Sequence, residues 1–326
     1  MKFSKASSLG TLRLYTFFLL LILFIITVIS NLFANIDYCY RERVYNKSWT
    51  RHSYLFLSLF CIIISAVLLV IWKPFKPLNI KDKKYTRSIF YIGYTFLWYG
   101  ATYCLCFIGK KLLNDNLCND RKQNSVSGHF LFHTFFLLAI PYWFFAIGRF
   151  SYKDSVRTTS TQRNELQLVK NNLVIFMVIA YIGYIGASFV NLETTWSHGF
   201  HTIRQILYGT LLALISFHIL LNSTAYVGTR TERSLTILMN ILIAFWVAVI
   251  SLNYVLGFRY PFSKIEMVLG GALFIFLYYI SRITPLPPNI KLAPKYKKST
   301  NSNQQQSTDS ESTTLKKRLN NPIIYD

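Results

Sequence analysis

Two short stretches hold the residue types that do chemistry. The first, SVSGHFLFH, runs from Ser125 to His133, between a polar segment and an apolar one. The second, FHTIRQILYG, runs from Phe200 to Gly209 at the start of another apolar block. Each sets a histidine, His129 or His201, at the mouth of an apolar run, where lipid-facing sequence has no use for an imidazole. Two imidazoles suit phosphoryl transfer. One ring attacks phosphorus and holds it as a phosphohistidine, and the other protonates the leaving oxygen. Histidine fits both roles because its ordinary titration lies near neutrality. Basic side chains beside the pair would neutralise phosphate, arginine through its bidentate fork. The candidates are Lys110, Lys111, Arg121, Lys122 and Arg204. Ser127 and the amides around Gly128 can donate to a phosphoryl oxygen at a helix start, where the dipole favours an anion. Gly128 lets that backbone come close. The expected site therefore has His129 and His201 as catalytic residues, with Ser127, Gly128, Arg204, Lys110 and Lys111 binding substrate. No histidine or cysteine stands at metal-ligand spacing, so neither a metal nor a cofactor is expected.

The remaining histidines are His52, His133, His198 and His218. His198 stands three residues before His201 and fits any role given to it. His133 lies four residues past His129 on the same helical face. It is either a partner behind the site or merely a pore-facing residue. His218 falls deep in its apolar block and is expected to hydrogen-bond inside the bundle.

These residues need elements to hold them. The chain has 326 residues, 52% of them hydrophobic and 17% aromatic. The apolar residues come in blocks of about 20, the length that crosses roughly 30 Å of hydrocarbon. Blocks lie near 14–33, 54–72, 88–108, 129–148, 171–191, 204–222, 235–256 and 263–283. Each must be a helix, because an isolated strand cannot satisfy its backbone in lipid. The fold class expected is an all-α polytopic membrane protein, with six core transmembrane helices plus about two additional C-terminal helices. All eight belong to one integral membrane domain over residues 1–284. The first block is too long for the apolar region of a signal peptide and has no small-residue cleavage site, so it reads as a retained helix.

The bias of Lys and Arg sets the orientation. With the N-terminus in the cytosol, the most basic connections, after the second and fourth blocks, fall on the cytosolic side. Loops 34–53, 109–128, 192–203 and 257–262 then face the lumen or exterior. His129 and His201 arrive at that same face and the same depth. Asn46-Lys47-Ser48 in the first of these loops is a glycosylation sequon. Cys39 and Cys118 also fall there, where a disulfide can persist, whereas Cys61, Cys104 and Cys106 read as packing residues within the membrane. Residues 285–326 are rich in Pro, Ser, Asn, Gln and Lys and are expected to form a disordered, basic and polar cytosolic tail. The net charge of +22 comes from loops and a tail suited to an anionic leaflet. No soluble module of basic residues interleaved with aromatics argues for nucleic acid as a partner.

Taken together, SVSGHFLFH before one apolar helix and FHTIRQILYG after the next resemble the fat storage-inducing transmembrane (FIT) family, in particular its fungal branch. The resemblance runs from about the first helix to the sixth. The family is similar in its active-site pattern to lipid phosphatases. The resemblance implies an endoplasmic reticulum membrane protein with both termini in the cytosol and a lumenal site. It implies hydrolysis of fatty acyl-CoA at the diphosphate, giving acyl 4′-phosphopantetheine and adenosine 3′,5′-bisphosphate, in support of lipid-droplet biogenesis and phospholipid metabolism. The partners it implies are fatty acyl-CoA and the lipids of the bilayer. Carried over to this chain, His129 is the Ser-Gly-His histidine and general acid, and His201 the nucleophile. The chain departs from the lipid phosphatase pattern at Gln205, where an Asp orients the nucleophile, and at Thr195, where an Arg is usual. The Lys and Arg-Pro motif of those enzymes is not recognisable here.

Two other classes compete. A non-catalytic protein that binds diacylglycerol or triacylglycerol and partitions it into droplets would use the same aromatic helices. Phe130, Phe132, Trp143 and Phe144 would line either an acyl cleft or such a binding surface. A small-solute transporter is disfavoured, because the blocks hold no paired Asp or Glu for a proton or cation relay.

Overall fold

The computed structural model describes residues 5–33, 48–71, 83–113, 118, 125–151, 160–197, 199–230 and 234–283. Eight helices account for nearly all of them: α1 (Lys5–Phe33), α2 (Ser48–Ile71), α3 (Lys83–Leu113), α4 (Gly128–Ser151), α5 (Ser160–Ser197), α6 (Ile203–Arg230), α7 (Ser234–Val255) and α8 (Lys264–Ile283). No strand occurs among the described residues. Among the described residues, seven helices hold stretches long and apolar enough to cross a membrane, and α4 contributes the apolar stretch Gly128–Phe144. The protein is an all-α polytopic membrane protein.

The helices lie where the apolar blocks lie, because block length fixes them. They run further at their ends, where polar residues continue the same backbone. α3 extends to Leu113, so Lys110 and Lys111 sit on its last turn rather than in a loop. Cations are favourable at that end of a helix. α5 runs on to Ser197 and lifts Thr195 and Trp196 toward the next helix.

The centre of the bundle is α3, α4 and α6. Phe90, Tyr94, Phe135, Phe136, Trp143 and Phe217 are all buried there. Lipid tails are as apolar as these rings, so burial does not drive helix association in a bilayer, and packing and hydrogen bonds select the partners. The ties are specific. Trp143 Nε1 on α4 donates to Thr95 Oγ1 on α3 at 2.9 Å. Trp98 Nε1 on α3 donates to Ser216 Oγ on α6 at 2.9 Å, and Thr102 hydrogen-bonds the same serine hydroxyl. Trp143 therefore belongs to the core and not to a cleft. α1 flanks α6, where Thr16 Oγ1 meets His218 Nδ1 at 3.2 Å. His218 thus bonds within the bundle. Most of α1 otherwise presents bare side chains such as Phe17 and Ile22 outward. α7 and α8 pack on α3, and Leu273 and Leu277 of α8 close over Gly93.

Cys61, Cys104 and Cys106 are free and buried. Cys118 is disulfide-bonded. Its expected partner Cys39, the sequon at Asn46, Arg121, Lys122, His198 and the 285–326 tail lie outside the described residues.

Candidate active site

His201 sits between two helix caps. α5 ends with Gly199 at a φ of 66°, a left-handed conformation that glycine reaches without steric cost. Gly199 N donates to Trp196 O at 2.9 Å and Phe200 N donates to Thr195 O at 3.3 Å. This pair of bonds is the Schellman closure of a helix C-terminus. Two residues later α6 begins with a capping box. Gln205 N donates to Thr202 Oγ1 at 3.2 Å, and Thr202 N donates back to Gln205 Oε1 at 3.3 Å. His201 is thus clamped in the short link between two satisfied helix ends, and it is buried.

Gln205 also sets the tautomer of His201. Its Oε1 lies 3.1 Å from His201 Nδ1. A backbone N–H can only donate, so the side-chain atom facing Thr202 N is the amide oxygen. That oxygen cannot donate to His201, so Nδ1 must carry the proton and donate. The lone pair is then on Nε2, where a nucleophile needs it. Gln205 thus orients the His201 ring without adding a charge beside it.

The segment before α4 is wedged between α3 and α6. Ser125, Val126 and Ser127 are all buried. Ser125 Oγ donates to Lys110 O at 3.2 Å. Ser127 N donates to Gln205 O at 3.0 Å, so this amide is committed to α6 rather than to substrate. Ser127 Oγ accepts from Phe130 N at 3.4 Å and caps α4. Gly209 admits this wedge, since a Cβ there would lie 2.3 Å from Ser127 O. Glycine costs about 1 kcal/mol in a helix interior relative to alanine, and close backbone approach accounts for it here.

The wedge brings His129 to His201. Their ring centroids are 6.5 Å apart with planes inclined at 56°. His129 is half-buried and His201 buried. Two imidazoles this close can both reach a single tetrahedral phosphoryl group, one as nucleophile and one as proton donor.

The basic residues separate. Lys110 Nζ lies 3.5 Å from where a Cβ on Gly128 would stand, beside the first turn of α4. Lys111 is exposed and its Nζ lies over the ring of Phe107, 5.9 Å from the centroid. Arg204 is in the first turn of α6, half-buried, with its Nε shielded from solvent. Lys110 therefore joins Gly128, whereas Lys111 turns toward Phe107.

His133 holds α4 to α5. Its Nδ1 meets Ser188 Oγ at 3.0 Å and its Nε2 meets Asn191 Oδ1 at 3.1 Å. Its carbonyl accepts from Tyr184 at 2.9 Å. Both ring nitrogens are engaged within the bundle, so His133 ties α4 to α5. Asn191 continues the line, because its carbonyl accepts from Thr195 Oγ1 at 2.7 Å and Thr195 receives Phe200. Ser188, Asn191 and Gly209 gave no local sign of this role. The T-x-x-Q pattern at Thr202–Gln205 before an apolar run did, as a capping box.

No family model, curated protein or solved structure matches the chain.

Proposed function

We propose that the protein is a lumenal fatty acyl-CoA diphosphatase of the endoplasmic reticulum membrane, as its resemblance to the FIT family implies. The observation that carries the reading is the pair of imidazoles with ring centroids 6.5 Å apart, one of them held as the Nδ1–H tautomer by Gln205.

The chemistry follows from those positions. His201 Nε2 attacks one phosphorus of the diphosphate. The bridging P–O bond breaks, and the electron pair leaves with the departing phosphate oxygen. The protonated His129 ring gives its proton to that oxygen. His201 then holds the phosphoryl group on Nε2, with Nδ1–H still donating to Gln205. His129, now neutral, takes a proton from water as the water attacks phosphorus and frees His201. Acyl 4′-phosphopantetheine and adenosine 3′,5′-bisphosphate result. Arg204 is a cation in the first turn of a helix, the end where the macrodipole disfavours positive charge. A bound phosphate resolves that conflict. Lys110 approaches the same anion from α3, at the N-terminal end of α4, whose first-turn amides suit phosphate.

Two further features support a lumenal site. The disulfide at Cys118 belongs to the connection that carries Ser127, and disulfides persist in oxidising compartments. The basic connections fall on the opposite face.

The competing reading is a non-catalytic binder of diacylglycerol or triacylglycerol. Purified protein incubated with oleoyl-CoA separates the two. Release of adenosine 3′,5′-bisphosphate supports the diphosphatase. Retention of labelled triacylglycerol with no nucleotide released, unchanged by His129→Gln, supports the binder.

A further inference from the structure

We propose that a crevice on α3, between α4 and the α7–α8 hairpin, holds the acyl chain of the substrate. The proposal rests on the acyl-CoA reading above. α3 is the most enclosed of the seven long apolar helices. Even so, Phe96, Tyr99, Gly100, Tyr103, Phe107 and Lys110 all keep partial exposure. Their spacing puts them on one face of the helix. None is as bare as the lipid-facing residues of α1, where Phe17 is 49% and Ile22 53% exposed. The face is partly covered by its neighbours rather than bare.

Aromatic rings wall the recess on both sides. On the α4 side, Tyr99 packs against Phe132 and Phe136 at 5.7 and 5.1 Å between centroids. On the other side, Tyr103 meets Phe262 at 5.8 Å. A Cβ on Gly100 would lie 3.3 Å from the Trp246 ring of α7. Phe262 is firmly placed. α7 closes through Gly257, whose φ is 64°, with Phe258 N donating to Asn253 O. α8 opens with a box in which Ser263 N donates to Glu266 Oε2 at 2.7 Å. Phe262 stands just before that box. This gives the last two helices a task that no motif in their sequence announces.

The recess has two defined ends. At the top, Tyr103 Cε2 and Lys110 Nζ lie 3.7 and 3.5 Å from a Cβ built on Gly128, one residue from His129. At the bottom, Phe96 abuts Trp143 at 5.7 Å, and Ile92 on the same face is buried. From Lys110 to Phe96 the helix rises about 21 Å at roughly 1.5 Å per residue. One leaflet contributes about half of a hydrocarbon core of roughly 30 Å. One extended chain therefore fits, with its headgroup at the histidines. A recess one helix face wide suits a single chain, not the three of a triacylglycerol.

The test is photolabelling of the full-length His201→Ala protein with a palmitoyl-CoA analogue carrying a diazirine near the chain terminus. Adducts are mapped by peptide mass. The crevice predicts adducts between Phe96 and Tyr103, or at Phe132 or Phe262, that excess oleoyl-CoA abolishes. It also predicts that Gly100→Leu raises KM about tenfold for oleoyl-CoA and leaves octanoyl-CoA unchanged, with Phe262→Trp as a second narrowing variant should Gly100→Leu not fold. Adducts on the outer faces of α1 or α5, or adducts insensitive to competition, would overturn the proposal. The labelling needs binding alone. Competed adducts in the crevice without nucleotide release by wild type would sink the diphosphatase and leave the crevice. Nucleotide release with adducts elsewhere would do the reverse.

Discussion

Gln205 Oε1 accepts from His201 Nδ1 at 3.1 Å while closing the capping box with Thr202 N at 3.3 Å. One amide oxygen thus starts a helix and sets the tautomer of a histidine. The expected outcome of Gln205→Leu is a fall in kcat of about 100-fold, within the range that general acid–base groups contribute, with KM little changed. Gln205→Glu keeps an oxygen for both donors and adds a charge that stabilises an imidazolium. Its turnover should equal or exceed that of wild type. Steady-state hydrolysis of oleoyl-CoA by the two variants checks both.

Gly209 has no room for a methyl group, since a Cβ would sit 2.3 Å from Ser127 O. Gly209→Ala must push α4 from α6, at an overpacking cost of about 1–3 kcal/mol. The same shift separates His129 from His201. A lower Tm in detergent together with lost activity is expected. Gly186 offers a control, because nothing stands within 4 Å of a Cβ there, and its alanine variant should keep both.

His133 joins α4 to α5 through both ring nitrogens. Removing it leaves Ser188 and Asn191 without their interhelical partner, at a cost of about 1–2 kcal/mol. His133→Ala should therefore lower Tm, while kcat falls no more than about tenfold, a smaller loss than a proton-transfer group gives. Asn191→Leu should produce the same pattern. A loss in His133→Ala as deep as that of His201→Ala would assign His133 a chemical role instead.

The two neighbouring lysines should part company. Lys110→Ala removes a charge beside Gly128 and should raise KM for acyl-CoA about tenfold, the scale of a charged hydrogen bond of roughly 1.5 kcal/mol. Lys111→Ala, whose lysine lies over Phe107, should leave KM within about twofold. Kinetics at several salt concentrations would separate the two, because only a specific phosphate contact survives screening of exposed charge.

Much of the fold is legible in the sequence because block length and helix rise are physically tied. The positions of His129 and His201 at two helix mouths are legible for the same reason. What escapes are relations that depend on register. Lys110 and Lys111 look like loop residues, yet the backbone of α3 carries them a further turn and sends them apart. Trp143 looks like a cleft residue, yet it faces Thr95 because α4 presents that side to α3. His133 meets Ser188 and Asn191 across a contact that no local pattern encodes. Gln205 reads as a departure from a charged partner until the capping box shows which atom faces His201.

The proposed chemistry has His129 and His201 acting together on a diphosphate. The direct measurement is hydrolysis of oleoyl-CoA by purified wild type, His129→Ala and His201→Ala, with products resolved by mass and folding checked by thermal melting. Adenosine 3′,5′-bisphosphate and acyl 4′-phosphopantetheine are expected from wild type, with at least a 100-fold loss in each folded variant. Full activity in either variant, or no nucleotide from a folded wild type, would contradict it.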